Sequence, residues 1–425
     1  MSQSWLAQAI ARASAVNDWL QPQRKESLAL LATQEWPGRR TEAWRYTSLH
    51  AFDKLALTSA SGLVKQDDAP AVAGLNSLDI VLVDGELQTA IEALQLPSGV
   101  RVSSFSNADA PAKEVAQAVF TKVKPAKHLF GLLNDTLAQQ GIIIDIAAGA
   151  EVQQPIRIVN YVTAGVESHN RILVRLGAGA KAVVIEHGAT LSGADTAAFN
   201  TAFAEYLIGD KAQLEHYRLA LHGGKVIHIG GSHFQLHNEA RLNSTLVGYG
   251  SQISRIDADI HHAGEHAFAK FNNIYLLAPN EHFDLHSSIE HAVPNGTTEQ
   301  NARGIVGDKA VAVFNGRIHI HRYAQKTLAE LNNRNLLLTR GARVNTKPEL
   351  EIYADDVQCA HGATVAEINE EALYYLRSRG LSASQAKVML SFGFIQELIT
   401  QMPNHSLADW LLPILRERFV AMEAE

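Results

Sequence analysis

The side chains best suited to metal chemistry are Cys359 and His361, within the segment TKPELEIYADDVQCAHGATV (346–365). In an extended strand, side chains two residues apart leave the backbone on the same face, about 6–7 Å from one another. A thiolate and an imidazole are both ligands for soft or borderline metal ions. Leu350 and Ile352 are expected to lie on a strand and to face the interior. If the same alternation continues along the chain, Cys359 and His361 fall on the outward, polar face, where a thiol beside an imidazole is expected to be reactive.

This pair makes only half of a four-ligand site. Cys359 is the only cysteine of the chain, and His361 is the only histidine close to it in sequence. The sequence therefore predicts that, if the two residues bind a metal or a cluster, the remaining ligands come from another chain.

Histidine is abundant elsewhere, with 19 residues in the chain. Most of them lie between residues 169 and 321, in two tight groups and one strand pair: His261, His262 and His266; His282, His286 and His291; His319 and His321. A zinc or iron site needs three such ligands to converge. The chain has neither an HEXXH sequence nor the spacing of a cupin site, so ladders or solvated faces are the favoured interpretation. A His-rich mononuclear metal-binding protein stays open as an alternative.

Other catalytic and nucleotide-binding motifs are absent from the sequence or misplaced in it. The segment GAGAKA (177–182) resembles a dinucleotide-binding loop, but it leads into a strand-like run instead of the helix that would hold a pyrophosphate. The sequence contains no GxxxxGK[ST] and no GxSxG. Asp355 and Asp356 are adjacent, so on a strand they would face opposite ways and could not form a catalytic pair.

Charge and composition narrow the class of protein further. The 425-residue chain has a net charge of −7 and a pI of about 6.3, which argues against binding to nucleic acid or to an anionic membrane. Its first residues lack the basic and apolar regions of a secretory signal, and no run approaches the ~18 apolar residues of a membrane span. With a single cysteine and so no internal disulfide, we expect a cytoplasmic protein.

The central region has a repeating β pattern. Short runs rich in Val, Ile and Leu alternate with polar turns, and a turn followed by alanine recurs in GAGAKA, GDKAQL, HNEARL, GDKAVA and RGARVN. A coil that cannot bury its own face must stack on its neighbours, so the pattern predicts a β-solenoid. A β-sandwich or jelly roll is the alternative. We therefore expect a mostly helical or mixed region at 1–140, a β core at 141–365 and a helical domain at 366–425.

Several segments resemble the SufB/SufD scaffold family of iron–sulfur cluster assembly proteins. They are TKPELEIYADDVQCAHGATV, the following YYLRSRGLS and AKVMLSFGF, and RRTEAWRYT near the start. The resemblance covers essentially the whole chain, and the single cysteine favours the SufD-like branch over the cysteine-rich SufB-like branch. It implies a mainly β fold, a right-handed parallel β-helix between helical N- and C-terminal regions.

The resemblance also implies a function, a set of partners and site residues. It implies a non-enzymatic scaffold that works with a SufB-like paralogue and a SufC-like ABC ATPase. An unpaired edge of the expected β-helix would also allow the isolated chain to form a homodimer. By the same resemblance, no cofactor is expected to be bound permanently, and a transient iron–sulfur cluster is expected to form at the paralogue interface beside His361 and, with a less defined role, Cys359. The residues implied in ATPase docking are Tyr375, Arg377, Arg379, Met389, Phe392 and Phe394. A β-solenoid enzyme acting on polysaccharide is the remaining alternative.

Overall fold

The protein is a parallel β-helix flanked by helices. The computed structural model describes residues 2–55, 57–59, 68–191 and 197–424. The strands are β1 (Thr58–Ser59), β2 (Leu78–Val83), β3 (Glu86–Leu87), β4 (Val100–Ser104), β5 (Gly141–Ile146), β6 (Ile156–Val162), β7 (Val166–Leu176), β8 (Lys181–Thr190), β9 (Ala198–Ile208), β10 (Gln213–Leu221), β11 (Val226–Leu236), β12 (Arg241–Tyr249), β13 (Ile253–His262), β14 (Phe268–Leu277), β15 (His282–His291), β16 (Thr297–Val306), β17 (Val311–Ile320), β18 (Thr327–Leu337), β19 (Arg343–Ile352) and β20 (Val357–Glu367).

The strands form two sheets that alternate along the chain. Sheet A has the order β19-β17-β15-β13-β11-β9-β7-β5-β4, with β1 on β7, and sheet B has the order β20-β18-β16-β14-β12-β10-β8-β6-β2-β3. From β5 to β20, each strand pairs in parallel with the strand two positions along. Of the earlier strands, β1 pairs in parallel with β7 and β2 with β6, whereas the pairs β2–β3 and β4–β5 are antiparallel. This arrangement confirms the predicted mainly β solenoid with helical flanks, and the sandwich alternative is wrong. Sheet pairing also begins N-terminal to residue 141, because β2 pairs with β6.

The recurring turn-and-alanine pattern has a structural cause. Four of these turns, and two further turns of the same shape, have one residue with a φ between 54° and 69°: Gly179, Lys211, Glu239, His266, Asn295 and Lys309. In all but one case the next residue is a buried alanine that faces the interior: Ala180, Ala212, Ala240, Ala267 and Ala310. The exception is Gly296, where a Cβ atom would lie 2.5 Å from Nδ1 of the internal His291. Stacked turns of one shape therefore hold successive coils in register.

Helices cover the outer faces of both sheets. They are α1 (Ser2–Ala15), α2 (Gln21–Ala32), α3 (Ala110–Val119), α4 (Leu129–Leu137), α5 (Glu370–Ser378), α6 (Ala383–Thr400) and α7 (His405–Ala424), with short 3₁₀ turns at Glu42–Trp44, His50–Lys54 and Ile91–Ala93. The N-terminal helices pack on sheet A through a core that includes Phe130, Phe199 and Phe203. The pair α6 and α7 packs on sheet B through a second apolar core. None of the described helices is long and apolar enough to cross a membrane.

Buried neutral histidines should make the β-helix sensitive to acid. Burial lowers the pKa of His222 to about 3 and that of His187 to about 4. Between these values and the ordinary 6.5, the unfolded chain binds more protons than the folded one, so the free energy of unfolding falls as the pH falls. Each such histidine contributes about 1.4 kcal/mol per pH unit to this slope.

We expect His222→Gln to reduce that slope by about 1.4 kcal/mol per pH unit between about pH 6 and 4.5. Urea unfolding followed by circular dichroism across this pH range measures it. His50→Gln is the matched control, because the His50 side chain is 86% exposed. Equal slopes for His222→Gln and wild type would show that His222 is not held neutral by the fold.

Candidate functional site

The C-terminal end of the β-helix is open. In the described part of the chain, β19 pairs only with β17 and β20 only with β18, so both strands present an unpaired edge. Interior side chains of this last coil are only half-buried, because no further coil covers them; they are Val344, Leu350, Val357 and Cys359. An unpaired edge next to uncovered apolar side chains is a surface on which another β structure can pair.

Cys359 and His361 belong to this open end and point along the interior row of the coil. In the ladder with β18, Cys359 lies beside Ala329 and His361 beside Leu331. Both of these neighbours are fully buried in the core, so the two side chains share the inward direction. The prediction that they lie on the outward face is therefore wrong. The chain turns at 353–356 and passes from sheet A to sheet B, so the alternation of β19 does not continue into β20.

The two side chains differ in exposure. Cys359 is half-buried against the core, and this burial raises the pKa of its thiol. A thiol with a raised pKa is mostly protonated and is a weaker nucleophile and metal ligand than a free cysteine. His361 lies further out and is exposed. A cation or cluster arriving at the open end therefore meets the His361 imidazole first.

Among the residues that the structure describes, no third ligand completes the pair. Within the described residues, the group of His, Cys and acidic side chains that converge is Glu290, His319 and His321, on the outer face of sheet A. The two tight histidine groups do not converge either. His262 and His291 stack inside the β-helix with ring centroids 4.1 Å apart, and His286 pairs with Asp284.

The helical residues implied in partner docking divide into two sets. Met389 and Tyr375 are 64% and 55% exposed, and Arg377 and Arg379 are exposed as well. Phe392 is only 9% exposed, because it packs between α6 and sheet B. The remaining residue, Phe394, is half-buried below the guanidinium of Arg303, 5.3 Å from the ring centroid. Phe392 is therefore buried in this chain, whereas the other five residues are at least partly accessible.

Two features of the surface were not predicted from the sequence. Tyr374 is 75% exposed beside Tyr375. Its position next to Tyr375 in the predicted helix could have identified it as a surface residue. The other is Glu290, which lies directly beside His319 in the sheet A ladder. Only the register between coils brings these two residues together, so sequence spacing alone could not identify the contact.

The segment RRTEAWRYT anchors the N-terminal region to sheet A. The Trp44 ring lies 3.9 Å from the Arg255 guanidinium, and the Thr47 hydroxyl donates to the Asp284 carboxylate. Lys347 of β19 forms an ion pair with Glu42 of this segment. The segment therefore ties the first part of the chain to β19, which forms the last coil together with β20.

A parallel β-helix with one open end and an incomplete ligand pair is typical of a scaffold-like protein that binds a second chain. Comparison with known families agrees with this class. The model for the SUF system FeS cluster assembly SufBD core domain matches residues 159–394, and the model for the SufBD protein N-terminal region matches residues 7–158.

Relatives of known name support the same conclusion. The chain is 31% identical to the iron–sulfur cluster assembly protein SufD of Escherichia coli K12, over 93% of this chain and 92% of that protein. It is 29% identical to an iron–sulfur cluster assembly SufBD family protein of Synechocystis, over 90% of this chain and 88% of that one. The chain belongs to the SufBD family, and it has a scaffold role in iron–sulfur cluster assembly.

Proposed function

We propose that the protein is a non-catalytic, cytoplasmic subunit of a complex with a cysteine-rich SufB-like paralogue and a SufC-like ABC ATPase. The observation that supports this most directly is the open end of the β-helix, where an unpaired edge adjoins the incomplete pair Cys359 and His361. The sequence lacks a P-loop of its own, so ATP hydrolysis is assigned to the ATPase subunit.

The paralogue docks at β19 and β20. Its own terminal coil can extend both sheets through the unpaired edges and cover the half-buried apolar side chains. The nascent iron–sulfur cluster, which is cargo and not a resident cofactor, forms at this junction. His361 supplies an imidazole ligand, and the paralogue supplies thiolates. In the absence of the paralogue, a second copy of this chain can occupy the same edge as a homodimer.

The ATPase docks on the exposed side of α5 and α6, at Tyr375, Arg377, Arg379 and Met389. The path from this surface to the open end is short. Only Ile368 and Asn369 separate the end of β20 from α5, and the Asn369 side chain accepts a hydrogen bond from the Ala372 N–H at 2.9 Å. A displacement of α5 by the ATPase is therefore transmitted to the strand that holds His361.

We expect two substitutions to separate the two docking surfaces. Val365→Glu places a charge at a 46%-exposed apolar position of β20 and should abolish co-purification of the paralogue while leaving the ATPase bound. Met389→Glu should do the reverse, because a buried unpaired carboxylate opposes apolar contact. The measurement is affinity capture from cells that co-express the three subunits.

Leu328→Glu is the matched control, since Leu328 is 44% exposed on β18 but faces outward, away from the open end. It should retain both partners. Each variant is first checked for a wild-type thermal transition. If Val365→Glu and Leu328→Glu capture equal amounts of paralogue, the open end is not the docking surface; if Met389→Glu retains the ATPase, α6 is not its contact.

A further inference from the structure

A compact cluster of metal-binding side chains lies on the outer face of sheet A, apart from Cys359 and His361. It consists of Glu290 on β15, His319 on β17 and His321 just beyond β17. One ligand atom from each of the three residues lies within 4.8 Å of the other two. All three side chains are half-buried, so the cluster is shielded from bulk water and still reachable from it.

The backbone explains why the three side chains converge. Glu290 and His319 are direct neighbours in the parallel ladder between β15 and β17. His321 follows His319 by two residues and so leaves the chain on the same face. The two imidazole rings stack with their centroids 4.3 Å apart. The cluster is thus set by the coil register and does not depend on a mobile loop.

The distances fit a metal ion better than hydrogen bonds. Nδ1 of His319 lies 3.7 Å from one carboxylate oxygen of Glu290, and Nε2 of His321 lies 3.6 Å from the other. Both separations are too long for a hydrogen bond. Both nitrogen atoms are nevertheless shielded from solvent without a hydrogen-bond partner. Two ligands at about 2.0 Å from a tetrahedral metal ion are about 3.3 Å apart, so each of these two nitrogen–oxygen distances would have to shorten by about 0.3–0.4 Å for coordination.

We propose that Glu290, His319 and His321 bind one divalent transition-metal ion of the zinc class. Two neutral imidazoles and one carboxylate are a ligand set for Zn²⁺, Co²⁺ or Fe²⁺ rather than for Ca²⁺ or Mg²⁺, which take oxygen ligands. Water occupies the remaining coordination position. The site does not depend on the paralogue or the ATPase, and it stands or falls separately from the function proposed above.

Arg317 is the competing cation at this site. Its guanidinium forms two hydrogen bonds of 2.8 Å with Glu351 and only a longer one, of 3.4 Å, with Glu290. The oxygen of Glu290 that faces His321 is therefore free for a metal ion. The nearby positive charge still opposes a divalent cation, so removing Arg317 should strengthen binding.

His237 provides a matched control within the same fold. It follows β11 as His321 follows β17, so it has the corresponding position in an earlier coil. The position that corresponds to His319 is occupied there by Gln235, whose amide lies 3.4 Å from the His237 ring. This place has the same backbone, but Gln235 and Leu207 have the positions there that His319 and Glu290 have in the cluster.

The test is a Zn²⁺ titration of the full-length protein by isothermal calorimetry, with Co²⁺ absorption as a second readout. All proteins carry Cys359→Ser and His361→Ala, which removes the pair at the open end. We expect one bound ion per chain. Loss of an outer partner of a metal ligand typically weakens affinity 10- to 100-fold, so Glu290→Gln, His319→Ala and His321→Ala should each weaken it at least tenfold.

His237→Ala should leave the affinity unchanged, and Arg317→Gln should raise it. A gain of affinity cannot be produced by misfolding, so it distinguishes coordination from general damage. The proposal is overturned if the parent protein binds no Zn²⁺ at stoichiometric level, or if His237→Ala weakens binding as much as His321→Ala does. It is equally overturned if all three ligand variants bind like the parent.

Discussion

Arg171→Met is expected to lower the free energy of unfolding by about 3–5 kcal/mol, which is the usual cost of removing one partner of a buried ion pair. Arg171 lies on β7 inside the junction between the β-helix and the N-terminal helices. Its guanidinium pairs with Asp135 at 2.9 Å and with Glu205, and all three side chains are fully buried. Methionine fills much of the volume of the arginine side chain. It carries no positive charge, so the buried carboxylates of Asp135 and Glu205 lose part of their charge compensation.

The Glu205 carboxylate shows why this junction depends on charge. It accepts hydrogen bonds from the backbone N–H groups of Thr121, Val123 and Lys124, at 2.8 to 2.9 Å. The same carboxylate therefore holds the turn that joins α3 to α4. When Arg171 is replaced, the negative charge of Glu205 is no longer balanced inside the protein. We therefore expect α4 to loosen before the central coils do.

Arg175→Met is the matched control for this prediction, because it makes the same change on the same strand. Arg175 pairs with Asp145 at 2.9 Å, but its side chain is 30% exposed. Exposed pairs typically contribute about 0–1 kcal/mol. Urea unfolding followed by circular dichroism at pH 7 compares the two variants. Equal losses would mean that the buried cluster around Arg171 does not stabilise the junction.

The sequence predicted the β-helix because its signal is repeated. A residue in the left-handed region followed by a small interior side chain recurs in successive turns, as in Lys211–Ala212 and Lys309–Ala310. Between residues 240 and 307 no such turn is predicted from the sequence, but the structure has two of the same shape there, at His266 and Asn295. One of these continues with Gly296 in place of alanine, which conceals the repeat from a search for a single motif.

The details of the site were harder to predict, because they depend on contacts between distant residues. The direction of Cys359 follows from the turn between the two sheets, which the alternation within β19 cannot show. The burial of Phe392 depends on which side of α6 meets sheet B, and that helix is apolar on more than one side. The pairing of Glu290 with His319 depends on the coil register. For Cys359 and Phe392 the sequence motif identified the residue and the fold determined its environment, whereas Glu290 was identified only from the fold.

We expect His361→Ala to remove most of the iron–sulfur cluster that forms on the complex proposed here. His361 is exposed at the open end, whereas Cys359 is half-buried with a thiol of raised pKa. Loss of a direct ligand should weaken cluster binding at least as much as the 10- to 100-fold typical of an outer partner. The measurement is the visible absorbance of the complex after anaerobic reconstitution with iron and sulfide.

His361→Cys distinguishes a ligand role from a structural one. A thiolate can replace the imidazole as a cluster ligand, so absorbance should recover relative to His361→Ala. The added negative charge should lower the reduction potential of the cluster and slow its transfer to an apo-protein, because an imidazole ligand raises the potential. Cys359→Ala should have the smaller effect on absorbance. Wild-type absorbance in His361→Ala would remove His361 from cluster assembly, and the open end would then serve subunit docking alone.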